Sequence, residues 1–440
     1  MASRTYPSGS LWTLRHREDD PLAFLQTLAD NRDDLVPFQL GTRQAFLLNH
    51  PTAIEDVLLI HHERFVKGRG FDRAKRLLGD GLLTASGPLH AERRRVVQPA
   101  FHRQRIEAYA PLVVAHAARW RDRWQQGMTL DIAHEMRRLT LAIVGETLFG
   151  TELESVAADV DTAVASAIPA MDGLVSLVAS RRRVQAARRR LDSIVDDVVE
   201  RRRRSGSVRD DLLSLLLEAR RIDDEASARQ CRDDAVTFML AGHDTIAHAL
   251  TWTWTLLAAN PEVEARLHAE VAAVLGTRRA CAQDVPRLEY TRGVLAEALR
   301  LFPPAWVIVR RAIESHQCGD THIPSGSLVV ASPFVTHRDA RFFPDPLTFS
   351  PGRWLSPEQR PRLAYFPFGA GPRSCIGEGF AWMEGILVLA TLAGRWQLRP
   401  EGRAVEPSPR ITLRPRGPVP MVPTLQGDNR SLRAGQTRLP

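Results

Sequence analysis

Cysteine is scarce in this sequence, and the cysteines that occur are not paired. The 440 residues contain 4 cysteines, which lie far apart and form no C-x-x-C motif: Cys231, Cys281, Cys318 and Cys375. Small secreted domains depend on closely spaced disulfides, and zinc ribbons need paired cysteines. Both classes are therefore excluded, and the pattern is typical of a protein from a reducing cytosol.

Apolar runs are also missing at the amino terminus, where a targeting segment would stand. Residues 1–20 are polar and charged, so we expect neither a secretory signal nor a membrane anchor, and we expect a cytoplasmic location. No linker rich in Pro, Gly or Ser and no internal repeat divides the chain. We predict one large domain over 16–425, with a tail at 1–15 and a flexible tail at 426–440.

Lysine is nearly absent. Lys67 and Lys75 are its only instances, so arginine carries almost all the positive charge of a chain with a formal net charge of +8. The arginine runs at 181–183, 188–190 and 201–204 are interleaved with acidic residues. This arrangement is typical of the solvated faces of long helices and disfavours a nucleic-acid-binding module. An acidic protein partner makes better use of the charge, through electrostatic steering.

The spacing of apolar residues predicts a mostly α fold with small β-sheets. Three-and-four spacing predicts helices at 104–126, 129–149, 184–204, 209–221, 261–275 and 378–393. Shorter runs predict a β-hairpin over 35–40 and 45–48, strands at 307–313 and 328–333, and further hairpins between 397 and 422. Helices with a few short strands at the edges are the expected architecture.

One cysteine lies among glycines, an aromatic residue and an arginine, in the run from Phe368 to Gly377. Gly371 and Gly377 allow the backbone to turn tightly, approach a flat macrocycle and direct N–H groups at the sulfur. These donors, with Arg373, favour the ionised form of Cys375. Phe368 would shield the sulfur from water. The arrangement suits a thiolate that is the axial ligand of a haem iron.

A long apolar segment, Asp233 to Asn260, carries polar residues at its centre. An Asp at the middle of a membrane costs about 2.5–3.5 kcal/mol, so a buried helix of a globular protein is the better interpretation. Within it, Asp244 and Thr245 form a pair in which the hydroxyl could donate a proton and the carboxylate resupply it. The threonine can also bond to a carbonyl one turn earlier and open the helix there.

Together these motifs resemble those of the cytochromes P450. The spacing F-x-x-G-x-R-x-C-x-G around Cys375 resembles the haem-binding signature of that family, and Ala241 to Thr245 resemble its oxygen-activation motif. The family order also includes H-x-x-x-R, E-x-x-R and a later arginine, and the resemblance covers nearly the whole chain. It implies the P450 fold and a haem-thiolate monooxygenase that inserts one atom of O2 into an apolar substrate. Because the chain carries no membrane anchor at its amino terminus, the bacterial type is expected.

The resemblance also implies which residues hold the cofactor, haem b with Cys375 as the metal ligand. His90 and Arg94, four apart on a predicted helix, resemble the pair that binds a haem propionate in bacterial P450s. Arg310 matches another propionate arginine, with Arg311 as its competitor. Arg373 completes the set, and His243 is not expected to bind metal.

A structural role is implied for a second set of charges. Glu297 and Arg300 resemble the E-x-x-R motif, which pairs with a later arginine, here Arg353, to fix the segment before the cysteine loop. We expect these three residues to support the fold and take no part in the chemistry. Loss of one charge would cost about 3–5 kcal/mol and prevent haem incorporation.

The expected substrate side is overwhelmingly apolar, which favours a terpenoid, fatty acyl chain, steroid or polycyclic compound. By position in the family, it draws on residues from five parts of the chain: Val66, Phe71, Leu82, Leu83, Met171, Val175, Phe238, Ala241, Ala305, Trp306, Val307 and the stretch Val419 to Met421.

The expected electron donors are separate proteins. The resemblance implies a monomer that receives electrons from NAD(P)H through a reductase and a ferredoxin or flavodoxin. That carrier docks on a basic proximal face near Arg93, Arg95, Arg103 and Arg105.

Three rival functions remain open at this point. A peroxide-driven peroxygenase or an isomerase would keep the fold, although the pair Asp244 and Thr245 argues against both. A haem-thiolate sensor would bind haem without consuming oxygen.

Overall fold

A computed structural model describes residues 20–68, 70–171, 177–206, 209–220, 225–356 and 360–426. The tail predicted at 1–15 and all but the first residue of the tail predicted at 426–440 lie outside these ranges. The side chains of 70–73 and 168–180 also lie outside the description.

Helices make up most of the described chain. In chain order they are α1 (Pro21–Ala29), α2 (Pro51–Glu55), α3 (Gly70–Leu78), α4 (Gly87–Val97), α5 (Arg103–Arg123), α6 (Ile132–Leu148), α7 (Ala157–Met171), α8 (Leu177–Ser205), α9 (Leu212–Arg220), α10 (Glu225–Ala259), α11 (Pro261–Leu275), α12 (Glu289–Leu301), α13 (Pro333–Thr336) and α14 (Glu378–Ala393).

The strands form small sheets at the edges of this helical body. They are β1 (Leu35–Leu40), β2 (Arg43–Leu48), β3 (Phe65–Lys67), β4 (Leu130–Asp131), β5 (Ile308–Ala312), β6 (His316–Cys318), β7 (Thr321–Ile323), β8 (Leu328–Ala331), β9 (Trp396–Pro400), β10 (Pro407–Pro409), β11 (Leu413–Pro415) and β12 (Pro420–Leu425).

The largest sheet has five strands in the order β1-β2-β8-β5-β3. Only β2 and β8 run parallel within it. A three-stranded sheet has the order β4-β12-β9, and β6–β7 and β10–β11 are separate hairpins. The register of β3 against β5 places Lys67 opposite Arg310, so the sheet brings two cations from distant parts of the chain together.

Helix α10 runs through the core and is buried along most of its length from Cys231 to Leu257. A Cβ atom at Gly242 would lie 3.1 Å from a methyl group of Val144 on α6. The missing side chain of Gly242 therefore permits the close approach of α6.

The mostly helical fold with small sheets is confirmed as a single domain. Predicted elements such as 261–275 and 378–393 coincide with α11 and α14. Among the described residues, no helix combines the length and the apolar character that crossing a membrane requires.

The arginine runs lie mainly on α8, where Arg181, Arg182 and Arg183 are exposed as expected. Two others, the partly buried Arg188 and the buried Arg202, are held in ion pairs. Arg188 binds Asp192 and Asp233, and Arg202 binds Asp211 and donates to the carbonyl of Phe149 at 2.8 Å. These two therefore join α8 to its neighbours.

Candidate active site

The loop before α14 is shaped by two glycines with positive φ. Gly369 has φ of 71° and Gly371 has φ of 72°, a region that other residues rarely adopt. A Cβ atom at Gly371 would lie 2.1 Å from the carbonyl oxygen of Leu58, so no side chain fits there. The turn closes with the amide of Cys375 donating to the carbonyl of Phe368 at 2.9 Å.

Gly377 directs an N–H at the sulfur as expected, but it does not make the tight turn that was also expected of it. Its φ of −87° is ordinary, and a Cβ atom there would make normal contacts, 3.7 Å from Phe101 and 3.9 Å from the sulfur of Cys375. The tight turns are instead made by Gly369 and Gly371. The contribution of Gly377 is its backbone N–H, which donates to the Cys375 sulfur.

The side chain of Cys375 is exposed, as a ligand for a bound group must be. The protein packed around it nevertheless desolvates the sulfur, which raises the pKa of Cys375 to about 11 in the protein alone. The Gly377 N–H and Arg94 oppose this shift without overcoming it, and Arg373 takes no part. Ionisation therefore depends on a bound cation, because a coordinating thiol loses its proton to the metal.

An aromatic residue that the sequence analysis missed supports the sulfur side of the loop. The ring of Phe368 lies 5.6 Å from that of Trp382 on α14, centroid to centroid. Arg292 lies over the Trp382 ring at 5.4 Å. The position of Trp382, one helical turn after the loop, is the signal that could have indicated it.

Basic side chains from four segments converge beside this loop. They are the buried His90 and four partly buried cations, Arg94 on α4 with His90, Lys67 on β3, Arg310 on β5, and Arg373. Burial, Arg373 and Lys67, with smaller effects of Arg94 and Arg310, lower the pKa of His90 to about 4. Burial and the other cations lower the pKa of Lys67 to about 7 and that of Arg310 to about 10.

The described residues place no carboxylate in an ion pair with Arg94, Arg310 or Arg373. Arg94 donates to the carbonyl of Ser374 at 2.8 Å, Arg373 to that of Ala85 at 2.6 Å and Arg310 to that of Val309 at 3.0 Å. Buried cations are normally paired with anions. The cluster is therefore built for an anionic group, and the two carboxylates of a haem fit it.

The structure places Arg310, not Arg311, beside His90 and Lys67. Lys67 is a further member that the sequence analysis did not identify as a site residue. The sequence does distinguish Lys67, because it is one of only two lysines in a chain that otherwise uses arginine.

Helix α10 presents the pair expected to handle protons. The hydroxyl of Thr245 donates to the carbonyl of Ala241 at 2.9 Å, one turn earlier. Asp244 is held by two residues that the sequence analysis missed. Its Oδ2 accepts from the Thr412 hydroxyl at 3.0 Å, and its Oδ1 lies 3.2 Å from Nε2 of His248.

The carboxylate of Asp244 is kept ionised by these neighbours. Burial alone would raise its pKa, but His248, His243 and the Thr412 hydroxyl together hold the pKa of Asp244 well below its usual range. The described contacts include no direct hydrogen bond between Asp244 and Thr245. Any proton passing between them needs an intervening group such as water.

His243 takes part in the packing of α10 through hydrogen bonds to backbone and side-chain groups. Its Nδ1 donates to the carbonyl of Met239 at 2.7 Å, and its own carbonyl accepts from Thr140 at 3.0 Å. The imidazole is buried, which lowers the pKa of His243.

Glu297, Arg300 and Arg353 form one buried network. Arg300 binds Glu297 through two bonds of 2.9 and 2.8 Å, and Arg353 adds a third of 2.9 Å. The indole of Trp354 and the backbone of Ser350 donate to the same carboxylate at 2.8 and 3.0 Å. The sequence analysis did not foresee these two additional donors.

The network also ties down the segment before the cysteine loop. Arg300 donates to the carbonyls of His337, Pro346 and Thr348 at 2.8, 2.6 and 3.0 Å. Glu297 and Arg300 are each 0 % exposed. Since the members satisfy one another away from water, the arrangement is stable only when all of them are present.

Comparison with known proteins agrees with this geometry. The family model for Cytochrome P450 matches residues 7–419. This chain is a cytochrome P450. Haem bound through a cysteine thiolate, the use of O2 and monooxygenase activity belong to the family. The exposed Cys375 and the three arginines that lack a carboxylate partner in the described part of the chain fit that cofactor.

Among its relatives is the cyclooctatin synthase of Streptomyces melanosporofaciens, 40% identical over 92% of this chain and 91% of the relative. The cyclooctat-9-en-7-ol 5-monooxygenase of the same organism is 39% identical over 91% and 90%. A crystal structure of a cytochrome P450 from Thermus thermophilus has a TM-score of 0.73 at 28% identity. It covers 92% of this chain and 98% of that one.

The residues expected to contact substrate differ in their exposure. Leu83, Ala241 and Ala305 are exposed, and Val66, Trp306 and Val307 are partly buried. Leu82 and Phe238 are buried. The backbone amide of Leu82 donates to the Asp234 carboxylate at 2.9 Å, and the ring of Phe238 stacks on that of Phe101. The side chains of Phe71 and Met171, and all of Val175, lie outside the described residues.

The basic face of this P450 is smaller than expected. Arg93 is buried and pairs with Asp234 at 3.3 Å, so it is not a surface residue. Arg105 is partly buried and pairs with Asp210. Arg95 and Arg103 are exposed, although Arg103 binds Glu107 at 2.8 Å. The prediction had placed Arg93 and Arg95 on one surface, although side chains two residues apart on a helix do not face the same way.

Proposed function

We propose that this P450 hydroxylates a polycyclic terpenoid, using electrons supplied by separate redox proteins. Two findings support the proposal. The residues expected on the substrate side carry no charge, and two of the most similar relatives are named for products or substrates of the cyclooctatin type. Epoxidation of a ring alkene is the same class of reaction and is an alternative outcome at the same site.

The observation that carries the cofactor assignment is the set Arg94, Arg310 and Arg373, which are partly buried and find no carboxylate partner among the described residues. His90, Arg94, Arg310 and Arg373 would hold the two propionates of haem b, and Lys67 would add a fifth contact. Cys375 would be the axial ligand, with Phe368 limiting the access of water to its sulfur. The haem supplies the oxidising chemistry on O2 when it is bound.

The remaining roles belong to residues of this chain. Thr245 would hold a proton at its Oγ1 near the haem, and the ionised carboxylate of Asp244 would orient the water molecule that passes the next proton to it. Since the two side chains make no direct bond, the route includes a water molecule. His248 and Thr412 would orient the carboxylate of Asp244 and keep it ionised.

The electron donor would dock on the exposed arginines nearest the cysteine loop, Arg95 and Arg103. A ferredoxin or flavodoxin has an acidic surface, which exposed arginines would attract electrostatically and orient for docking. An NAD(P)H-dependent reductase would reduce that carrier. These partners and the monomeric state stay predictions.

The first experiment is the carbon monoxide difference spectrum of the reduced, haem-loaded protein beside Cys375→Ala. We expect the red-shifted Soret band of thiolate ligation in the wild type and its loss in the variant. A wild type that is folded and haem-loaded but lacks the band would refute Cys375 as the ligand.

The substrate class is tested by spectral shifts of the haem band with cyclic terpene alcohols, fatty acids and steroids. We expect the terpene alcohols to shift the band at the lowest concentrations. Turnover with NADPH, a surrogate ferredoxin and its reductase should then insert one atom of labelled O2 into the best ligand. Product formed only with hydrogen peroxide would favour the peroxygenase, and binding without oxygen consumption would favour the sensor.

A further inference from the structure

A single π-helical turn, Asp56–Ile60, follows α2. The amide of His61 closes it by donating to the carbonyl of Asp56 at 2.8 Å, five residues back. This wider turn brings the side chains of residues 56 and 61 together, and Nδ1 of His61 lies 2.8 Å from Oδ1 of Asp56. Such turns are rare and occur frequently at functional sites.

The hairpin of β6 and β7 brings two further side chains to the same place. His316 and Cys318 are two residues apart on β6, so their side chains point to the same face of the strand. Nε2 of His316 lies 2.5 Å from Oδ2 of Asp56, and the thiol of Cys318 also hydrogen-bonds to that carboxylate. The imidazoles of His61 and His316 are 4.7 Å apart, centroid to centroid.

The potential ligand atoms of Asp56, His61 and His316 all lie within 4.8 Å of one another. His316 is 2 % exposed and Cys318 3 % exposed, so half of the group is shielded from water. Two imidazoles, one carboxylate and one thiol are the donors that Zn²⁺ prefers in four-coordinate sites. Deprotonation of the thiol would bring the ligand charge to −2, which balances a divalent cation.

We propose that Asp56, His61 and His316 form a binding site for a divalent transition metal of the zinc type, and that the Cys318 thiol turns from the Asp56 carboxylate to the ion as the fourth ligand. The site is separate from the haem ligand Cys375 and independent of the substrate assigned to the enzyme. Two pairs of ligands, each fixed by its own backbone element, would be joined by the ion. Its effect would be to fasten the π-turn to β6.

Arg64 is the group that competes with the metal. Its Nη1 lies 3.3 Å from Nδ1 of His316, so this nitrogen accepts a hydrogen bond and Nε2 carries the proton. A metal on Nε2 would move the proton to Nδ1, and the guanidinium would have to withdraw. It can do so, because Arg64 is 44% exposed and its Nε already binds Glu314 at 3.0 Å.

The test is a titration of the haem-loaded protein with Co²⁺, which reports ligation through its spectrum. We expect one equivalent to bind, with visible bands of four-coordinate cobalt and a near-ultraviolet thiolate band, both removed by excess Zn²⁺. Cys318→Ser should remove the thiolate band, and His61→Ala should weaken binding about 10–100-fold. Arg64→Gln should tighten binding, because the amide oxygen can accept from Nδ1–H.

Cys281→Ser is the matched control, since that cysteine belongs to a separate site with Asp284 and should leave the titration unchanged. The carbon monoxide band of every variant shows whether the fold and the haem site are intact. Absence of the cobalt bands in intact wild type would overturn the proposal. So would bands that persist unchanged in both Cys318→Ser and His61→Ala, because the metal would then be bound elsewhere.

Discussion

Replacing Glu297 by glutamine removes the one anion of the buried network while keeping its shape. The carboxylate accepts five hydrogen bonds, two from Arg300 and one each from Arg353, Trp354 and the backbone of Ser350. The amide of glutamine offers a single acceptor oxygen, and its NH2 group would face guanidinium donors. Two buried arginines would be left without a counter-charge.

The size of the effect follows from the complete burial of the pair. Breaking a buried ion pair by removing one partner costs about 3–5 kcal/mol. Exposed pairs are worth only about 0.2–1 kcal/mol, and Arg103–Glu107 at 91% and 47% side-chain exposure is such a pair. Glu107→Gln is therefore the matched control, with the same chemical change at a surface site.

The assay is urea unfolding of both variants, combined with the ratio of haem absorbance to protein absorbance after purification. We expect Glu297→Gln to lower the free energy of unfolding by about 3–5 kcal/mol and to reduce haem content. Glu107→Gln should change it by less than about 1 kcal/mol. Equal effects of the two substitutions would refute the view that Glu297 neutralises buried arginines.

Three further outcomes are expected. Thr245→Ala should keep the carbon monoxide band but lower the product formed per NADPH by about tenfold or more, with hydrogen peroxide released instead; unchanged coupling would contradict the proton role. Haem affinity should fall as pH rises above 7, because propionates raise the pKa of Lys67 and the haem-bound protein keeps a proton that the free protein loses. Lys67→Arg should weaken this dependence in Soret titrations at pH 6.5 and 8.5, and identical slopes for both proteins would count against it. Burial raises the pKa of Glu384 well above its ordinary value of 4.5. The native state therefore keeps a proton that the unfolded chain loses, and the free energy of unfolding falls as the pH rises above 4.5. Glu384→Gln should remove this loss, and urea midpoints at pH 5 and pH 8 that differ equally in both proteins would contradict it.

Local motifs explain why much of this fold and site could be predicted. The cysteine loop and the E-x-x-R pair are short runs whose spacing carries their geometry, and α11 ends at the residues that periodicity indicated. The partners of Asp244 could not be found in this way. Thr412 lies 168 residues away, and only the packing of α10 against the β10–β11 hairpin region brings it near.

Charge type alone also fails to show which side of a helix is buried. Arg93 and Arg94 are neighbours in an arginine run, yet the first binds Asp234 inside the core and the second reaches the cysteine loop. Periodicity of apolar residues cannot separate them, because both are polar. Lys67 was missed for a related reason, since its role arises from strand pairing with β5.

The way Arg300 is bound has a consequence for recombining this enzyme with its relatives. Apart from Glu297, its partners are backbone carbonyls at positions 337, 346 and 348, which exist whatever side chains stand there. A segment of equal length from a relative that keeps His337 and the buried Phe343 can therefore replace 337–348 without breaking the bonds to Arg300. Crossovers that change its length by even one residue would misalign three acceptors at once, so loop length limits which chimeras will fold even where the buried side chains are kept.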